Sequence, residues 1–103
     1  MESEIKNIQK WVVENNVIER TKEYFDDALK TCTEDSEPGE VPDRKDIRLY
    51  TKYVSLKIGN WPECDYNHVV VVLDMWQDKI NIGEYSVMYN FDGSVFDDRL
   101  VFY

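Results

Sequence analysis

The sequence predicts an α+β fold, with an N-terminal helix or kinked helix pair packed on a four-stranded antiparallel meander sheet. Three observations carry that expectation. Apolar residues recur at helical spacing from Ile5 to Leu29, and no Gly or Pro occurs before Pro38. From Ile47 onward the apolar period falls to two. Four strand-like runs then follow one another through short connections, whereas a parallel pair would need a long crossover. Helices that precede such a sheet gather on one of its faces. A chain of 103 residues fits one domain, helical at 3–31, an acidic loop at 32–46 and a sheet at 47–103.

Ser3 is a candidate N-cap for the first helical stretch. Ile5, Ile8, Trp11 and Val12 form one apolar stripe, and Val17, Ile18, Tyr24, Phe25, Ala28 and Leu29 form another. At about 100° per residue the second stripe is rotated by roughly a third of a turn from the first. One straight helix cannot aim both at one core. The phase changes at Asn15-Asn16, where Asn16 and Glu19 make a candidate capping box. Two helices, 3–14 and 17–31, or one kinked helix are therefore expected. Residues 32–46 hold two prolines and a glycine among acids, which reads as a loop.

In the first strand Tyr50, Val54, Leu56 and Ile58 alternate with Ser55 and Lys57, and Gly59-Asn60-Trp61-Pro62 ends it. His68 to Trp76 contains the run Val69-Val70-Val71-Val72-Leu73, which fits a central strand buried on both faces or covered by helix. Gln77-Asp78-Lys79 is a turn, and Ile80 to Tyr89 a third strand. Gly83 is a candidate bulge, because the apolar phase slips from Ile80/Ile82 to Tyr85/Val87/Tyr89. Asn90-Phe91-Asp92-Gly93 is a hairpin turn, and Val95 to Tyr103 the last strand.

Acids outnumber bases 21 to 12, a net charge of −9. Residues 33–46 carry six acids and two bases; residues 60–103 carry eight acids and two bases. Between them residues 47–59 carry Arg48, Lys52 and Lys57 and no acid. A direct nucleic-acid binder needs a basic footprint, and only that short stretch offers one. An anionic membrane is disfavoured on the same ground. A basic protein partner is the complement of such a field. Two cysteines, Cys32 and Cys64, form no disulfide framework, and neither a signal peptide nor a long apolar run is visible. A cytoplasmic protein with reduced thiols is expected.

Motifs for catalysis are sparse. The one histidine, His68, lies four residues from Cys64, so a thiolate–imidazole pair is one reading. Cys64, Asp65, His68 and Glu63 would be a metal set, but zinc sites favour Cys-x-x-Cys or paired His spacing that is missing here. Asn90-x-Asp92-Gly93 lacks the later ligands of a calcium loop. Asp97 and Asp98 point to opposite faces of a strand, and Asp26 and Asp27 diverge on a helix, so neither pair shares a cleft. No phosphate-binding glycine loop occurs. No enzyme activity, cofactor or metal is expected.

Aromatics among carboxylates remain: Trp61 and Tyr66 beside Glu63 and Asp65, Trp76 between Asp74 and Asp78, Tyr85 beside Glu84, and Phe96 beside Asp97 and Asp98. Tyr85, Val87 and Leu100 fit the core; Trp61 and Trp76, at strand ends, suit either core or interface. The segment Gly83-Glu-Tyr-Ser-Val-Met-Tyr-Asn-Phe-Asp-Gly-Ser-Val-Phe-Asp-Asp-Arg-Leu-Val-Phe102 resembles the closing hairpin of small bacterial toxin-immunity proteins. That resemblance implies a tight complex that blocks a toxin, often a basic nuclease. Charge and position nominate Asp74, Trp76, Asp78, Glu84, Asp97 and Asp98 as partner-binding residues. A phage-type anti-defence inhibitor that mimics DNA charge is the alternative, and an enzyme or metal protein built on Cys64 and His68 a further one.

Overall fold

The computed structural model describes residues 2–59 and 66–103, apart from the Glu2 side chain. Expectations that rest on Trp61, Glu63, Cys64 or Asp65 lie outside the described residues. Two helices, α1 (Glu2–Glu14) and α2 (Val17–Glu34), precede four strands: β1 (Arg48–Gly59), β2 (Tyr66–Gln77), β3 (Ile80–Tyr89) and β4 (Val95–Phe102). The strands lie in the order β1-β2-β3-β4, each antiparallel to the next.

The phase change at Asn15-Asn16 separates the helices. Asn16 is left-handed, at φ 53° and ψ 37°, a conformation that asparagine tolerates better than most residues. An N-cap needs extended backbone, so the Asn16–Glu19 capping box does not form, and the Asn16 side chain makes no cap bond. Asn15 instead closes α1, donating from Nδ2 to the Trp11 carbonyl at 3.0 Å. Helix α2 runs to Glu34, three residues beyond its expected end. No helix breaker intervenes before Pro38, and Thr31, Thr33 and Ser36 donate hydroxyls to the carbonyls of Asp27, Leu29 and Cys32. A short 3-10 turn, Arg44–Asp46, leads into β1 within the stretch read as loop.

Three strands each take one extra residue. Ile82 is the extra residue in β3, next to Gly83 as the phase slip predicted. A Cβ on Gly83 would run into the Val101 carbonyl oxygen and the Met75 methyl. Phe96 is the extra residue in β4, and Lys52 in β1. The Lys52 bulge corrects the reading of the first strand. Directly opposed residues share a face. Val54 opposes Val71, whereas Tyr50 opposes Asp74, so Tyr50 leaves the face occupied by Val54, Leu56 and Ile58.

Both helices cover one face of the sheet. Val17, Thr21, Phe25 and Leu29, spaced by four along α2, meet Val71, Leu73 and Met75 of β2 and Tyr85, Val87 and Tyr89 of β3. The buried Thr21 hydroxyl donates to the Val17 carbonyl at 2.6 Å and pairs with the Tyr89 hydroxyl at 2.7 Å. Phe25 meets Tyr85 edge-on at 5.6 Å, and Trp11 meets Tyr89 at 6.3 Å. Arg20 pins the helix corner to the β3–β4 turn, donating to the carbonyls of Asn15 and Gly93 at 3.2 and 2.8 Å. Its guanidinium lies 5.1 Å from the Tyr89 ring.

The opposite face carries no helix. Val70 and Val72 project there and are still only 5% and 2% exposed. Tyr53 opposes Val72, and Ser55 and Met88 flank Val70, so neighbouring side chains close over them. The Val69–Leu73 run is thus buried on both faces with helices on one. Among the described residues no helix is long and apolar enough to cross a membrane.

Candidate functional site

The helix-free face is built by register. β2 contributes His68, Val70, Val72, Asp74 and Trp76, and β3 contributes Glu84, Ser86 and Met88. β1 adds Arg48, Tyr50, Tyr53 and Lys57, and β4 adds Asp97, Arg99 and Val101. Tyr50, Tyr53 and Phe96 are large side chains left exposed. These three aromatics are exposed on a face that no helix covers, while Val70 and Val72 of β2 stay buried.

Asp74 and Glu84 stand directly opposite each other on the two inner strands, toward the β2–β3 turn. Glu84 Oε2 accepts from Lys52 Nζ at 3.3 Å and from the Tyr103 hydroxyl at 3.2 Å. Its hydrogen bond and charge raise the Lys52 pKa above the ordinary lysine value, with a smaller contribution from Asp74. Asp74 Oδ1 and Ser55 Oγ are enclosed and meet no hydrogen-bond partner among the described residues. Like charges opposed across a strand pair and a carboxylate oxygen without a donor both oppose folding.

The six nominated residues do not form one patch. Asp74, Trp76 and Glu84 share the end of the open face near the β2–β3 turn, and Asp78 lies in that turn beside Trp76. Asp97 sits farther along the same face, opposite Met88. Asp98 is on the other face, opposite Val87, where its Oδ2 accepts from the Tyr85 hydroxyl at 2.7 Å. Burial, and then that bond, pushes the Tyr85 hydroxyl well above the usual tyrosine range. Asp98 therefore serves the helix-covered side and is removed from the candidate interface.

The fold also disperses the acidity read from residues 60–103. Asp92 turns inward on its own hairpin, accepting from the Ser94 amide and hydroxyl at 2.9 and 2.6 Å, which lowers its pKa. On the open face Asp74, Glu84 and Asp97 stand among Arg48, Lys52, Lys57 and Arg99. The face is mixed in sign because β1, the basic stretch, pairs beside the acidic strands.

Sequence reasoning missed Tyr50 as a residue of this face, since the Lys52 bulge changes its phase, and did not single out Tyr53, which keeps the phase of Ser55 and Lys57. It also missed a cleft of about 680 Å³ at the end of the sheet, lined by Lys45, Arg48, Tyr50, Trp76, Asp78 and Lys79 among others. Asp78 and Lys79 form its turn with left-handed φ of 49° and 70°. The paired positive values match the hairpin twist; Asp78 suits the first of these positions, whereas Lys79 stands where glycine is favoured. Only the basic stretch hinted at this place, through Arg48.

At the other end of the face Phe96 meets Tyr66 and His68 in T-shaped contacts at 5.1 and 5.2 Å, and the Tyr66 and His68 rings lie tilted at 5.5 Å. The Cys64 half of a Cys64–His68 pair lies outside the described residues. Among the described residues no three Asp, Glu, His or Cys side chains gather as a metal site. No family model matches the chain, no curated protein matches it, and no solved structure matches it.

Proposed function

We propose that the chain is a non-catalytic binding protein of the toxin-immunity type, which holds a protein toxin against the helix-free face of its sheet. One observation supports this reading above the others. That face exposes Tyr50 and Tyr53 near the opposed carboxylates Asp74 and Glu84 and Phe96 at its far end, and no part of the described chain covers it. Aromatic anchors supply affinity, and charges of both signs supply register and rejection of wrong partners. A protein surface offers both signs in return, whereas nucleic-acid phosphates offer one. The partner follows from the resemblance of residues 83–102 to immunity-protein hairpins: a toxin, with a basic nuclease as the first case. Its lysines and arginines would meet Asp74, Glu84 and Asp97, and its carboxylates Arg48, Lys57 and Arg99. A DNA-mimicking anti-defence inhibitor fits less well, because four bases interrupt this face.

The test uses the tagged full chain in the organism that encodes it. Wild type should retain one stoichiometric protein partner, identified by mass spectrometry. The double variant Tyr53→Ser/Glu84→Arg should lose it, while Glu23→Gln on α2 should keep it. Expression of the captured partner alone should arrest growth, and co-expression with this chain should restore it. Growth that stays arrested on co-expression would remove the immunity reading. A partner retained by the double variant would remove the open face as the interface.

A further inference from the structure

We propose that the cleft at the end of the sheet is a binding site for a mononucleotide, a ligand that joins one phosphate to a flat ring. The site is separate in kind from the protein interface, although Arg48, Tyr50 and Trp76 border both.

Three cations line this cleft from two distant stretches of the sequence. Lys45 comes from the 3-10 turn, Arg48 from the first position of β1 and Lys79 from the β2–β3 turn. None of them makes an ion pair in the described structure, where the pairs are Lys10–Glu14, Lys22–Glu19, Arg44–Asp26 and Lys52–Glu84. That convergence is unusual in a chain with 21 acids and 12 bases. Asp46 and Asp78 line the same cleft without pairing with these cations, so the lining keeps a net positive charge that favours an anion. A guanidinium presents a planar fork suited to two phosphate oxygens, and lysine adds a mobile point charge.

The remaining walls specify what carries the phosphate. Tyr50 and Trp76 line the same cleft, and aromatic faces stack on nucleobases with a gain of about 1–3 kcal/mol. Asp46 and Asp78 also line it, and carboxylates accept hydrogen bonds from sugar hydroxyls and exocyclic amines. A volume of about 680 Å³ lies within the usual range for small-ligand pockets. A nucleic-acid strand is a poor fit. Only three cations line the cleft, Asp74 lies just beyond it opposite Tyr50, and the chain carries a net charge of −9. One phosphate with one ring satisfies the cations and the aromatics together.

The experiment is a titration of the isotope-labelled full chain followed by amide and indole NMR, with adenosine monophosphate, guanosine monophosphate, inorganic phosphate and adenosine as separate probes. A mononucleotide should shift the Trp76 indole and the amides of Lys45–Arg48 and Asp78–Lys79 in a saturable way. Arg48→Gln and Lys79→Gln should each weaken binding by about tenfold. Lys57→Gln, on the same strand but remote from the cleft, should not, and the spectra themselves report whether each variant is folded. Inorganic phosphate binding as tightly as the nucleotides would overturn the nucleotide assignment and leave an anion site only. Equal loss in Lys57→Gln would reduce the effect to diffuse charge. No saturable shift with any probe at millimolar concentration would overturn the site. The titration needs no protein partner, so its failure and the failure of the immunity reading are distinguishable.

Discussion

The two faces of the sheet are built from the same strands and follow opposite rules. On the helix-covered face polar groups find partners: Thr21 with Val17 and Tyr89, Tyr85 with Asp98, Trp11 with the Phe91 carbonyl. On the open face Asp74 Oδ1 and Ser55 Oγ have none, and two carboxylates oppose each other. The first face is arranged for stability. The second tolerates arrangements that oppose folding, and such departures concentrate where a molecule binds something. The contrast teaches that the aromatic content of this chain is divided between a core and a surface, although composition counts it once.

The largest expected difference between the faces is in packing. Phe25 is fully buried between Tyr85 and the Arg44 guanidinium, whose centre lies 5.5 Å from its ring. Phe25→Ala should cost about 3–5 kcal/mol, the range for a truncated core aromatic. Tyr50→Ala, on the open face, should cost under about 1 kcal/mol. Urea midpoints at equal m-values measure both. Equal losses would make the open face a second core and break the comparison.

A smaller effect separates the faces by pH. Burial holds the Tyr85 hydroxyl neutral, and its bond to Asp98 adds to this. The folded value is raised above the unfolded one. Its contribution to stability is therefore intact below the ordinary tyrosine value of about 10. It declines as pH rises from there toward the folded value, because the unfolded chain releases its proton first. Tyr89 is raised in the same direction by burial. Urea midpoints measured from about pH 8 to pH 11 should fall with a slope that Tyr85→Phe makes shallower. An unchanged slope in that variant would place the alkaline transition elsewhere.

Much of this architecture was legible along the chain. The change of period at Ile47 marks the boundary between helices and sheet, and the stripe rotation at Asn15-Asn16 marks the break between helices. The slip around Gly83 announced its bulge because the apolar residues themselves change phase. The Lys52 bulge left no such mark, since Thr51, Lys52 and Tyr53 are polar or amphipathic and suit either face. Asp98 read as an interface residue because a charge count along the chain cannot see which face a side chain takes. The cleft was illegible for a related reason. Lys45, Arg48 and Lys79 are brought together by the pairing of β1 with β2, a non-local contact that no window of sequence contains.

The smallest expected effect is also the sharpest test of the contrast. Asp74→Asn removes one of two opposed charges and relieves the enclosed oxygen of its share of that charge. The new amide is also a donor within the neighbourhood of Glu84, on a face where Glu84 otherwise takes its bonds from Lys52 and Tyr103. The folded state should gain about 0.2–1 kcal/mol, the usual size of a cross-strand pair effect. Binding of the captured partner should weaken at the same time, seen as a faster dissociation rate. A variant that is both more stable and a poorer binder fits a carboxylate kept for recognition. A loss of stability above about 1 kcal/mol would instead make Asp74 a structural residue, and the open face would then follow the same rule as the covered one.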